Sequence, residues 1–331
     1  MAVRKSVLYS FFVVIAALLI GFRSLEFGTD TQAYYNQYLN QKACYCIPNH
    51  FEPGIELLGF ASSLMQLTPE LYFSLLSFVQ LLFIWVFTQQ VAKTELENKK
   101  VIVLLTCIIV CTPFFINLQV NAVRQGLSLP FLLLSSLTLW RRQYLYSNLL
   151  FVVAFSFHAS VVLYYPFIAL LATPRNIVIP WLYMFFGLFL LYVFGFTEDI
   201  VKYFSQTFDL GIYEAVKNYS SHAVYKDGVR VDFAILTVLP IITFLFFSFQ
   251  SKKIFRKYFF LIKLYIALSI PFWLFGWANY SNRYILPAWV ILVLIAFLPL
   301  IGNISDGRYK FKALLSASCI FALLYYFRIF L

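Results

Sequence analysis

Two arginines in this chain stand among apolar residues. Asn121-Ala122-Val123-Arg124-Gln125-Gly126-Leu127-Ser128 opens one apolar run, and Asn279-Tyr280-Ser281-Asn282-Arg283-Tyr284 joins two others. At helical spacing, positions 121, 124, 125 and 128 share a face that Ser135 continues. An arginine at lipid depth costs free energy and marks a candidate functional site. Snorkelling to the interface accounts for Arg124 but not for the asparagine, glutamine and serine beside it. Acid–base groups accompany the arginines. Gly28-Thr29-Asp30 precedes Tyr34, Tyr35 and Tyr38. Phe51-Glu52-Pro53-Gly54 is followed one turn later by Glu56, on the side that also presents Ser63. His158 sits in Phe155-Ser156-Phe157-His158-Ala159-Ser160. Arginine binds phosphate oxygens bidentately and stays charged. A carboxylate or an imidazole can take the proton of an attacking hydroxyl. Structural readings stand beside these: Asp30 as a helix N-cap, Glu52 and Glu56 as interfacial charges, His158 as a hydrogen-bonded structural histidine.

These residues must be positioned by helices in a membrane. Of 331 residues, 62% are hydrophobic and 12% charged, against ~25% charged in an ordinary soluble domain. That excludes a soluble enzyme, a disordered tail and a disulfide-stapled secreted domain. The apolar segments fall at 6–22, 70–91, 101–118, 122–140, 144–157, 159–172, 177–196, 233–250, 258–277, 284–301 and 312–330. The expected fold is an all-α polytopic membrane protein, a single integral membrane domain over 1–331 with about 11 transmembrane helices. Residues 53–67 are too short to span and read as a re-entrant or interfacial helix. Residues 144–172 read as a tight hairpin of two short helices with His158 at its tip. Arg4 and Lys5 precede an uncleaved first span, which puts the N-terminus in the cytoplasm.

Charge orders the loops. With the N-terminus inside, the inner loops hold fifteen basic and three acidic residues, net +12. The remainder holds ten basic and eleven acidic, net −1. This positive-inside asymmetry accounts for the overall +11 without nucleic acid as a partner. A single span at 144–172 would move Lys252, Lys253, Arg256 and Lys257 outside, so the hairpin is preferred. The external face then carries two sizeable loops, 23–52 and 197–232. The second is tyrosine-rich and suits sugar contacts or a lid. Lys263 reads as snorkelling near an inner membrane end and Arg328 as terminal. Cys44 and Cys46 read either as a disulfide on an oxidising side or as thiols. Cys107, Cys111 and Cys319 read as small hydrophobes. No spacing forms a metal site or a nucleotide-binding loop, so no metal and no cofactor is expected.

Gly28-Thr29-Asp30, Glu52-Pro53-Gly54, Val123-Arg124-Gln125-Gly126, Phe157-His158-Ala159-Ser160 and Asn282-Arg283-Tyr284 occur in an order that resembles the EpsG-like branch of the Wzy-type bacterial polysaccharide polymerases. The resemblance covers nearly the whole chain. It implies a metal-independent glycosyltransferase of the bacterial cytoplasmic membrane that acts on the periplasmic or exterior side. Such an enzyme joins oligosaccharide repeats carried on undecaprenyl pyrophosphate into O-antigen or capsular polysaccharide. It also implies membrane lipid and a chain-length regulator protein as partners. Carried onto this chain, Arg124 and Arg283 stabilise the departing pyrophosphate. Asp30, Glu52 or His158 is the base or orients the acceptor, and Gln125, Asn121 and Tyr284 position sugar or phosphate. Another polyprenyl-linked glycosyltransferase, an O-antigen ligase and a lipid-linked oligosaccharide flippase are the rival readings. The flippase fits less well, because the polar groups gather at one leaflet and no internal repeat is found.

Overall fold

The computed structural model describes residues 2–28, 30–48, 50–95, 106, 109–173, 177–220, 228–248 and 258–302. Thr29, Cys107, Cys319, Arg175, Arg328, the basic stretches 252–257 and 308–312, residues 101–105 and 107–108 of segment 101–118 and the segment 312–330 lie outside the described residues. Among the described residues the regular structure is helical throughout, with fourteen α-helices and two 3₁₀ turns. The described residues divide into two compact units, one up to Val162 and one from Leu163.

In the first unit, α1 (Ala2–Gly21), α2 (Thr31–Cys44), α3 (Pro53–Leu64), α4 (Pro69–Glu95), α5 (Pro113–Val120), α6 (Val123–Trp140) and α7 (Tyr144–Phe157) follow in order. Prolines 53, 69 and 113 open three of these helices, where a missing N–H costs nothing. Helix α6 is the centre. It carries apolar residues all round, so 15 of its 18 residues are buried. It packs on α4, α5 and most extensively on α7. Small residues let the α6–α7 seam close: the Ser135 hydroxyl donates to the Ser147 carbonyl at 2.8 Å, and Ser147 returns the bond at 2.9 Å. Ser135 therefore belongs to a helix seam and does not extend the Arg124 face. The outer side of α7 exposes Leu145, Leu149 and Val152.

A 3₁₀ turn (Ala159–Leu163) closes the first unit, and the second continues with the five-residue α8 (Tyr165–Ala169) and a second 3₁₀ turn (Leu170–Ala172). The second arm of the expected hairpin is thus broken, with Pro166 in the first turn of α8. Then come α9 (Ile179–Val193), α10 (Phe196–Thr207), α11 (Ile212–Ser220), α12 (Val231–Ser248), α13 (Phe259–Phe275) and α14 (Ser281–Gly302). Helix α13 buries 15 of 17 residues and packs against α8, α9, α10 and α14. Lys263 lies within it, fully buried, with its ammonium 5.5 Å from the Trp181 ring centre. It does not snorkel, because it is ringed by the apolar faces of this central helix.

The stretch expected as loop 197–232 contains α10 and α11. The chain turns by 99° between α9 and α10 at Gly195, whose φ of +79° suits glycine. Among the described residues, Pro69–Val91 is long and apolar enough to cross a membrane alone, and α9 with α10 passes the same test only as a bent pair. Phe11–Gly21, Tyr144–Phe157, Val231–Phe246 and Phe259–Phe275 are shorter apolar helices.

Candidate functional site

Two backbone approaches assemble the first unit's polar residues. At the first, Gly54 in the opening turn of α3 meets the end of α7. A Cβ there would stand 2.8 Å from the Ser156 carbonyl oxygen, a distance real Cβ atoms do not adopt. Pro53 sets the first helical φ, so Glu52 is delivered beside the residue that caps α7, His158. At the second, Gly28 has φ +100°, and a Cβ there would meet Val120 at 2.5 Å and the Asn121 side chain at 2.9 Å. This lays the turn before α2 against the junction of α5 and α6, where Arg124 begins its helix.

The product is an ionic cluster centred on Glu52. One carboxylate oxygen accepts from Arg124 Nη1 at 2.6 Å. The other lies 2.9 Å from His158 Nδ1 and also accepts from the Ala159 N–H at 3.3 Å. The Arg124 Nε donates to the Tyr34 hydroxyl at 3.2 Å, and its guanidinium stacks 4.7 Å over the Phe51 ring. Tyr34 and Phe51 meet at 5.2 Å and wall the arginine from two sides. Side-chain exposures of 17% for Glu52, 23% for His158 and 28% for Arg124 keep the cluster partly open.

Charge follows from this geometry. Burial alone would raise the Glu52 pKa. The His158 hydrogen bond and then the Arg124 hydrogen bond and charge outweigh it and hold the carboxyl down to about 2. Glu52 is therefore an acceptor that stays ionised, and a poor base. Burial pushes the Tyr34 phenol up, opposed by Arg124 and supported by the nearby charge of Asp30. Tyr34 keeps its proton while it accepts from Arg124. A carboxylate that accepts from His158 Nδ1 puts a proton on that nitrogen, so the neutral form of the ring carries its lone pair on Nε2.

Glu56 turns away from Glu52, although four residues separate them, because Glu52 lies just outside the helix. Glu56 is 2% exposed. It accepts from Gln37 at 3.0 Å, from Gln41, and from the backbone N–H groups of Phe51 at 2.8 Å and His50 at 3.3 Å. It thereby fastens the segment that carries Phe51 and Glu52 to α2 and α3. Ser63, expected on the same side, donates to the Phe60 carbonyl within its own helix.

The face expected over 121, 124, 125 and 128 does not form. The helix breaks at Asn121, which caps α5 and whose amide donates to the Asn117 side chain at 2.6 Å, and α6 restarts at Val123. Arg124 faces the cluster. Gln125, one residue on, is 5% exposed, and the Ser128 hydroxyl donates to its carbonyl at 2.8 Å. Asp30 occupies the N-cap of α2 without a side-chain capping bond, so it is not the expected cap. Thr31 ties this corner instead: it donates to the Phe27 carbonyl at 2.7 Å and accepts from Arg23. Cys44 and Cys46 form a disulfide at the end of α2.

Arg283 and Tyr284 belong to the second unit. The Tyr164 hydroxyl donates to both of their carbonyls, at 3.3 and 3.0 Å. The Arg283 guanidinium lies 4.6 Å over the Tyr280 ring, and Tyr284 is buried against Phe275. Sequence reasoning selected neither Tyr34 nor Phe51. The available signals were the placement of Tyr34 one turn after Asp30 and of Phe51 next to Glu52.

The model of the EpsG family matches residues 6–331, and the chain belongs to that family of membrane proteins. No curated protein and no solved structure matches it.

Proposed function

We propose, from membership of the EpsG family, that this chain is a polysaccharide polymerase at the outer face of the bacterial cytoplasmic membrane. Its N-terminus is cytoplasmic and its many helices span the bilayer. The donor is a growing glycan on undecaprenyl pyrophosphate, and the acceptor is a sugar hydroxyl of the next lipid-linked repeat. The observation that carries this reading is the Glu52 carboxylate set between Arg124 and His158. His158 Nε2 takes the acceptor proton while the hydroxyl oxygen bonds to the donor's anomeric carbon. The bond from that carbon to the pyrophosphate oxygen breaks, and undecaprenyl pyrophosphate leaves with the electron pair. Glu52 orients the imidazole and stabilises its cation, as an acid partner does in a hydrolase triad. Arg124 Nη2 has no hydrogen-bond partner among the described residues, so it is available to a phosphate oxygen. Arg283 is the second phosphate-binding candidate. Asp30, Asn121, Gln125 and Tyr284 are assigned to positioning sugar or phosphate.

The test is a deletion strain with the surface and lipid-linked glycans resolved by length. Single repeat units at the surface are expected, because export and ligation continue while polymerisation stops. Precursor trapped inside with no surface glycan would overturn the reading in favour of a flippase. Long polymer held on the carrier would point to a ligase.

A further inference from the structure

A second polar feature lies at the opposite end of α6 from the Glu52 cluster. Arg124 is in its first turn and Arg141 caps its end, which sets the two about 25 Å apart along the helix. Between α4, α6 and α7 runs an open groove of about 470 Å³. Its walls are apolar, with Val86 from α4, Leu134 and Leu137 from α6, and Leu149 and Val153 from α7. On α7 the lining recurs at Tyr146, Leu149, Leu150 and Val153, a helical stripe about 10 Å long. The groove ends in polar groups at Gln90, Gln143 and Arg141. Leu149 is 55% exposed and neighbouring Leu145 70%, so the groove opens on a face that a membrane helix turns to lipid.

Arg141 is the informative member. Its Nη1 and Nη2 donate to the side-chain and backbone oxygens of Gln90 at 3.1 and 3.0 Å. Both acceptors are neutral. Among the described residues no carboxylate lies within ion-pair distance of it. The Gln90 bonds fix the guanidinium but leave its charge uncompensated. An apolar trough about 10 Å long that ends in a fixed, unneutralised cation complements a molecule with an apolar chain and an anionic head.

We propose that this groove binds an anionic phospholipid of the bilayer, with an acyl chain along α7 and the phosphate on Arg141. The undecaprenyl carrier fits less well, because its pyrophosphate is assigned to the other end of α6. The site therefore makes a claim separate from the polymerase reading, and its test does not use polymerase activity.

The full-length protein, purified in detergent, is offered equimolar dioleoyl-phosphatidylglycerol and dioleoyl-phosphatidylcholine, and bound lipid is counted by native mass spectrometry. The acyl chains are identical, so any preference reports the head. Both heads offer a phosphate, but the choline cation repels the guanidinium, so phosphatidylglycerol should be retained about tenfold over phosphatidylcholine, on the order of one like-charge contact near the surface. Arg141→Gln should bring the ratio to about one, whereas Arg142→Gln, which removes an equal charge from the exposed neighbour, should leave it unchanged. Val153→Trp should fill the trough and reduce retention of both lipids, which keeps the test decisive if Arg141→Gln fails to fold. Equal retention of the two lipids by the unaltered protein would overturn the proposal. So would an unchanged ratio in Arg141→Gln. Displacement of the lipid by glycerol 1-phosphate alone would reassign the site to a soluble phosphate. Preferential retention of undecaprenyl phosphate would reassign it to the carrier.

Discussion

At the scale of the residue, Glu52 and His158 have separable roles. With the Glu52 pKa held down to about 2, the proposed mechanism gives the acceptor proton to His158 Nε2. His158→Ala should lower the polymerisation rate by roughly 10²–10⁴, the usual contribution of a positioned base, and leave glycans of one or a few repeats at normal protein level. Glu52→Gln keeps an oxygen for His158 Nδ1 but strips Arg124 of its counter-charge, so both rate and stability should fall. The pH sign is fixed. A carboxyl whose pKa is depressed on folding contributes stability that is fully present above its ordinary value of 4.5 and is lost as pH falls towards about 2. Melting curves of the purified protein should therefore show a constant gap between the unaltered protein and Glu52→Gln from pH 8 to about pH 5, and a shrinking gap below. A gap that vanishes near neutrality would mean that Glu52 is not ion-paired. Arg124, Glu52 and His158 were legible in the sequence because charged groups are rare in such a chain. Tyr34 and Phe51 were not, because 39 phenylalanines and 23 tyrosines make one more aromatic uninformative.

At the scale of the element, the short motifs work as joints. Glu52-Pro53-Gly54 reads as a helix start, and it is one. That its glycine also lets α3 touch the end of α7 needs a contact 102 residues away in sequence, between Gly54 and Ser156, which no local pattern carries. Gly54→Ala puts a methyl against backbone atoms of Ser156 that cannot rotate away. The cost expected for such overpacking is about 1–3 kcal/mol, and Glu52 should move off His158. Shortened chains together with a lowered melting temperature are the expected outcome. Full-length polymer from Gly54→Ala would show that the Glu52–His158 distance does not govern activity. The long helices were legible from their apolar runs, as α6 and α7 begin or end within a residue of the expected bounds. The separate runs 101–118 and 122–140 placed a break between α5 and α6, but did not show that Asn121 caps α5 and so leaves the face that carries Arg124. The helical content of 197–232 escaped for a different reason: α10 and α11 are amphipathic and polar, and an apolar scan passes over them.

At the scale of the whole molecule, topology decides whether the Glu52 cluster meets an external substrate. Two independent observations bear on it. The charge split of +12 against −1 is the basis for the proposed topology, in which the N-terminus and the stretches 141–143 and 251–258 are cytoplasmic. The Cys44–Cys46 disulfide closes the end of α2 at the start of the α2–α3 connection, with its nearer cysteine six residues before Glu52, and disulfides persist on the oxidising side of a membrane. A reporter fused after Arg142 or after Lys257, which lies outside the described residues, should read cytoplasm, and one near Asp209 should read exterior. In intact cells treated with a reductant, a membrane-impermeant thiol reagent should label Cys44 and Cys46, and a Cys44→Ser, Cys46→Ser double variant should lose that label. Arg124→Ala should then shorten chains by a rate loss of roughly 10²–10³, and Arg124→Lys should rescue poorly because lysine lacks the bidentate fork. Arg142→Ala, which removes the same charge from the opposite end of α6, should keep full chain length. Cytoplasmic labelling of Cys44 and Cys46, or an exterior signal at Arg142, would invert the molecule and put the Glu52–Arg124–His158 cluster on the wrong side for an exported glycan.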